Sequence, residues 1–252
     1  MMPLTAAPSL LPANEAERLR ALYHYEVMPT HQELIFDELV QLTAYLFSLP
    51  ISLIALVDAN EVTYKANQGL PGLLHQPREE AICAMVINQR TPLIFTNLTK
   101  PDQRQRLTAS ASAAAQDKNL QFYAGAPLHT PIQYLIGTLC VIGYQPRSFG
   151  EEEQQVLQQL ASLVSELITI RHVCLTHQKI TQQERWQYLQ ALLAEEVQQL
   201  HVLVRYLLAQ FGTAIPVPLG VLRPVARRIE DLHLLLQQHH PGPIWCAPTT
   251  VA

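Results

Sequence analysis

The sequence predicts an α+β fold, an antiparallel β-sheet flanked by helices with a C-terminal helical hairpin or bundle. Three observations carry it. Leu120 to Ile142 holds two aliphatic and aromatic runs, 120–128 and 134–142, around the turn-forming stretch His129 to Gln133, which reads as a strand pair. Ile51 to Val57 is an unbroken aliphatic run between Pro50 and Asp58, as in a strand covered on both faces. From Glu151 to Leu207 apolar residues recur every three or four positions, the period of long amphipathic helices.

In chain order, Met1 to Ala13 contains three prolines and reads as a flexible leader. Asn14 is placed to cap a helix with Glu15 and Glu17 in its first turn, where carboxylates complement the dipole; it runs to about Tyr25, and Met28-Pro29-Thr30 breaks it. Leu34, Phe36, Leu39, Val40, Leu42 and Phe47 outline a second helix that Pro50 ends. After the first strand, Asp58 to Glu61 forms a hairpin turn and Val62 to Gln68 returns. A short helical stretch is expected at 80–88 and a third strand at 93–96, making five strands with the central pair. Residues 100–119, which include the alanine-rich TASASAAAQ, read as a surface connection with helical pieces, of the kind that caps pockets.

Within the central pair, Gly125, Ala126, Gly137 and Thr138 leave little bulk, and glycine inside a strand marks the close approach of another backbone or a ligand. The long helical pattern is interrupted by polar residues 176–185, and a last helix spans about 219–238. The organisation expected is a leader at 1–13, a sensory domain at 14–171, a helical dimerisation and signalling extension at 172–238, and a flexible tail at 239–252. Apolar stripes on helices this long exceed what a 160-residue domain covers, which predicts a homodimer completed by a helical bundle.

Composition narrows the function. The chain has 252 residues, is 48% hydrophobic and carries a formal charge of −4, with its basic residues scattered, so nucleic acid is not expected as a partner. No apolar run approaches the roughly 20 residues that cross a bilayer, and no signal peptide is visible. A cytoplasmic location without a membrane is the expectation. Cys83, Cys140, Cys174 and Cys246 share no metal-ligand spacing and read as buried thiols. No nucleophile-elbow, zinc-protease, P-loop or dinucleotide motif is present, and neither a catalytic residue nor a metal site is assigned.

Several stretches together carry a family resemblance: NEAERL at 14–19, FDEL at 36–39, PISLIALVD at 50–58, PREEAICA at 77–84, FYAGAPL at 122–128 and GTLCVI at 137–142. The chain resembles bacterial signalling GAF domains over about 14–171. That resemblance implies a regulatory, non-enzymatic fold that binds an unidentified small molecule and signals through dimeric helices. Its partners would be a histidine kinase or response regulator, as in two-component signalling. Met85 stands where such domains often have histidine, Gly143 stands where they often have aspartate, and the motifs tied to cyclic nucleotides and bilins are missing, so no cofactor is named. By fold analogy Tyr64, Lys65, Arg78, Cys83, Met85, Tyr123, His129 and Cys140 are the candidate ligand-binding residues.

Alternatives remain beside that reading. The chain is alternatively a ligand-free scaffold for a kinase or response regulator, which a cavity filled by Tyr64, Met85 and Tyr123 would favour. It is alternatively a cysteine-based reductase of the methionine sulfoxide type, using Cys83 and Cys140. Inert packing is the commoner role for such cysteines. Arg104 and Arg106 are candidates for an anion clamp against the plainer reading of solvated loop charges. His201 is a candidate phospho-acceptor in a tail hairpin that resembles that of histidine kinases in outline only, against the plainer reading of a packed histidine.

Overall fold

The computed structural model describes residues 10–28, 33–176 and 180–239. Most of the expected leader, the break at Pro29 and Thr30, and the tail beyond His239 lie outside the described residues.

The elements in order are α1 (Glu15–His24), α2 (Leu34–Leu46), β1 (Ile51–Val57), β2 (Glu61–Gln68), β3 (His75–Pro77), α3 (Cys83–Val86), β4 (Leu93–Phe95), α4 (Pro101–Arg104), α5 (Ala109–Asp117), β5 (Phe122–His129), β6 (Leu135–Gly143), α6 (Glu151–Thr176), α7 (Ile180–Phe211) and α8 (Leu219–His239). The strands form one antiparallel sheet in the order β3-β2-β1-β6-β5-β4. Six strands replace the expected five. The addition, β3, is three residues ending in proline, too short to show alternation. Asn14 stands at the N-terminus of α1, but its side chain makes no capping hydrogen bond.

Strand alternation divides the core in two. Ile54, Leu56, Phe122, Ala124, Leu139 and Val141 face α2 and α6. Leu53, Ala55, Val57, Tyr64, Tyr123, Cys140 and Ile142 face the crossover that carries α3 and α5. All seven residues of β1 are buried, as expected of a strand covered on both faces.

The tail departs most from expectation. Helices α7 and α8 fold back onto α2 and α6, so that four helices of one chain pack together behind the sheet. Trp186, Leu189, Leu193, Val197, Leu200 and Val204 of α7, with Val221, Val225, Ile229 and Leu236 of α8, are buried in the core that also contains Leu39 and Leu160. The apolar stripes that predicted a second copy are thus covered by the chain itself, and the bundle forms within one molecule. Helix α6 also runs unbroken across residue 171, where a domain boundary was expected.

Polar ties hold α7 near both of its ends. The Glu33 carboxylate accepts from Arg171 Nε at 2.7 and 2.9 Å and from Trp186 Nε1 at 3.0 Å, and pairs with Lys65 Nζ at 2.6 Å. At the other end Glu153, 1% exposed, pairs with Arg147 and accepts the backbone N–H of Val217 at 3.1 Å. Carboxylates this enclosed persist only where cations and N–H groups replace their water.

Candidate functional site

A cavity of about 30 Å³ lies between the sheet and the crossover, lined by residues that include Leu53, Tyr64, Cys83, Ala115 and Tyr123, with the half-buried Gln76, Glu80 and Lys118 beside them. Helix α5 covers it. Thr108 caps that helix by accepting the Ala111 N–H at 3.1 Å, and Ala111 and Ala115, one turn apart, are small enough to sit against the sheet. The alanine-rich stretch expected to cap a pocket does cover this one. A single water requires roughly 10–15 Å³ measured this way, so the space admits one or two waters.

The floor is a cluster of thiols and phenols. Cys83 Sγ and Cys140 Sγ are 3.7 Å apart, with Cys83 in the cavity wall and Cys140 beneath it on β6. Burial pushes the Cys140 thiol well up, whereas contact with Cys140 lowers that of Cys83. The Tyr123 ring is fully enclosed, and its hydroxyl faces the Cys83 and Cys140 sulfurs, which are weak hydrogen-bond partners. Burial also raises the Tyr64 phenol.

The two strand glycines answer the question of what approaches them. A Cβ at Gly137 would stand 2.2 Å from the Ala55 carbonyl oxygen of the neighbouring strand; one at Gly125 would stand 2.5 Å from the Tyr123 hydroxyl. In both cases the protein's own atoms fill the space.

Of the eight candidate residues, Tyr64, Cys83 and Tyr123 line the cavity, Cys140 lies under it, and Met85 is partly buried against the same cluster. The other three are elsewhere. Lys65 is the extra residue of a β-bulge, since Ile54 pairs with Ala66 and Ala55 with Tyr64. Its ammonium lies on the α2 side, 5.5 Å from the centre of the Phe36 ring and paired with Glu33. Arg78 is turned to the N-terminal segment: it pairs with Glu15 and donates to the carbonyls of Asp58 at 2.9 Å and Leu10 at 2.7 Å. It therefore does not line the cavity. Burial would raise the Glu15 carboxyl, but hydrogen bonds from Arg18 and Arg78 hold it down at about 2. His129, at the end of β5, donates its backbone N–H to Ser165 Oγ of α6 at 3.0 Å.

The remaining candidates have structural partners. Arg104 donates to Ser112 at 3.1 Å and Gln116 at 2.7 Å, and Arg106 stacks 4.7 Å from the centre of Phe95. His201 is half-buried against α2, its Nε2 3.4 Å from the Glu38 carbonyl. Gln76, Glu80 and Lys118 were not among the expected lining residues, because β3 and the orientation of α5 leave no periodic signal. Among the described residues, no three side chains of metal-binding type come together, and no helix is long and apolar enough to cross a membrane.

Comparison with known proteins places this architecture. A family model described as GAF domain matches residues 31–168. The chain is 30% identical over 131 residues to a cyclic di-GMP phosphodiesterase of Pseudomonas aeruginosa; the match covers 52% of this chain and 22% of that protein, so the chain spans about a fifth of the relative's length. Similar solved structures include the GAF domain of an Acinetobacter phosphoenolpyruvate-protein phosphotransferase, 19% identical with a TM-score of 0.46, covering 63% of this chain and 94% of that one. The Thermosynechococcus elongatus PixJ GAF domain is 20% identical, with a TM-score of 0.46 and coverage of 59% and 94%. A free methionine-R-sulfoxide reductase of Thermoplasma acidophilum is 12% identical, with a TM-score of 0.42 and coverage of 54% and 94%.

Proposed function

The chain belongs to the GAF domain family, and from that premise we propose that it is a non-enzymatic signalling module that works by protein contact rather than by holding a metabolite. Its partners on this reading are a histidine kinase or response regulator in the cytoplasm. The observation that carries the reading is the cavity between sheet and crossover: about 30 Å³, against the roughly 300–1,000 Å³ of sites that enclose a metabolite. The roomier recesses, of about 330 to 570 Å³, lie away from it, beside Asn14, Asp58 and His201. Tyr64 and Tyr123 occupy the space over the sheet, as a ligand-free scaffold requires.

The fused helices support the same reading. A module that signals through contacts needs an output surface joined rigidly to its sheet, and the Glu33 and Glu153 ties join α7 and α8 to it. The activity in the Pseudomonas relative's name is not carried over, since the match spans 22% of that protein.

Thermal-shift titration with cyclic nucleotides, linear tetrapyrroles and amino acids tests the proposal. A ligand present at 100 times its Kd stabilises a protein by about 2.7 kcal/mol. No member of the panel is expected to shift the transition; saturable stabilisation by any of them contradicts the proposal.

A further inference from the structure

The thiol pair is a feature that the proposed module does not use. Cys83 is in the wall of a cavity of about 30 Å³, and the Cys140 sulfur, outside that lining, lies 3.7 Å from it. That separation is van der Waals contact, so a small side-chain movement suffices for bond formation. Both sulfurs are buried, and the recess beside Cys83 holds only about 30 Å³ of free space. A hydroperoxide is little larger than water, whereas an amino acid or glutathione does not fit. The Tyr123 hydroxyl, fully buried, adds a polar group facing the sulfurs.

We propose that Cys83 and Cys140 form a peroxide-reactive dithiol that closes to an intramolecular disulfide between α3 and β6. Cys83 is the attacking sulfur because it lines the cavity, and Cys140 is the resolving one because it is buried outside the lining and within contact distance of Cys83. In the first step the Cys83 thiolate attacks one oxygen of hydrogen peroxide; the O–O bond breaks, Cys83 becomes a sulfenic acid and hydroxide leaves. In the second, Cys140 sulfur attacks Cys83 sulfur, the S–O bond breaks, and hydroxide takes the Cys140 proton as water. Two thiols and one peroxide give one disulfide and two waters. The lowered thiol of Cys83 and the raised one of Cys140 agree with this division of roles. The proposal holds whether or not the protein contacts of the module are as inferred above.

Intact-mass analysis of the full chain after stoichiometric hydrogen peroxide and alkylation tests it directly. The expected result is loss of two hydrogens and of two alkylation sites, with a non-reducing digest linking the Cys83 and Cys140 peptides. In Cys140→Ser, a 1,3-diketone should trap a sulfenic acid on Cys83; Cys174→Ser should leave the disulfide yield unchanged. Full alkylation of both thiols after peroxide treatment of the folded wild-type chain overturns the proposal. So does first oxidation at Cys174 or Cys246, or a disulfide formed with methionine sulfoxide and not with peroxide. The wild-type arm depends on no substitution and is unaffected by whether a variant folds.

Discussion

The Tyr123 hydroxyl fills the space that a side chain at Gly125 would need: a Cβ there would stand 2.5 Å from it, with the ring carbon Cζ at 2.9 Å and Thr138 Cγ2 at 2.8 Å. Strand neighbours two apart share a face, so the tyrosine lies along its own strand over the glycine.

That packing makes Gly125→Ala destabilising by about 1–3 kcal/mol, the usual result of overpacking a full core. Tyr123→Phe alone should be close to neutral, within about 1–1.5 kcal/mol, since the hydroxyl it removes faces only the weakly bonding sulfurs of Cys83 and Cys140. In the double variant the phenylalanine should recover part of the alanine's loss. Urea denaturation of the four proteins measures this, and strict additivity would show that the hydroxyl is not the obstructing atom.

Glu33 is the node at which the sheet, α6 and α7 meet. Glu33→Ala removes the acceptor of Arg171 and Trp186 and the partner of Lys65, a loss expected to be about 3–5 kcal/mol as for other broken buried pairs. Hydrogen exchange locates the effect. Amides of Trp186 to Leu193 should exchange faster while those of β1 and β6 keep their protection; uniform loss of protection would mean that α7 does not open separately.

The tail also carries a pH response. His233 Nδ1 is 2.8 Å from the Glu166 carboxylate, with the Gln159 carbonyl on its other nitrogen and Glu230 nearby; the Glu166 hydrogen bond raises the histidine above 6.5 despite burial. A raised pKa in the folded state means that the stabilisation is complete below 6.5 and is lost as pH climbs through the raised value. Melting curves of wild type and His233→Gln should therefore differ in mildly acidic buffer and converge in alkaline buffer. A constant difference across that range would contradict the pairing.

Because α2, α6, α7 and α8 cover one another's apolar faces, the purified chain is expected to be a monomer of 28.4 kDa. Light scattering at micromolar concentration decides it, and a stable dimer would restore the bundle of two copies expected from the sequence.

The sheet was legible because its signals are local. The aliphatic run at 51–57 and the hairpin strands expected at 120–128 and 134–142 each fall within two residues of the observed strands. The tail helices were legible as helices, but the partner of their apolar faces was not, because periodicity marks a buried face without naming what buries it. The same limit explains the site. Tyr64 and Lys65 are sequence neighbours that face opposite sides of the sheet, and only the bulge that admits Lys65 decides which one reaches the cavity. Arg78 was grouped with the pocket by fold analogy, whereas Glu15, 63 positions away, claims it. Gly125 and Gly137 marked close approach correctly, yet nothing local told protein atoms from a ligand.

Whether the platform is filled by its own side chains is tested most directly by native mass spectrometry of the full chain purified from its own host. The account predicts one species at the mass of the polypeptide. An added non-covalent mass of metabolite size, released on denaturation, would contradict it.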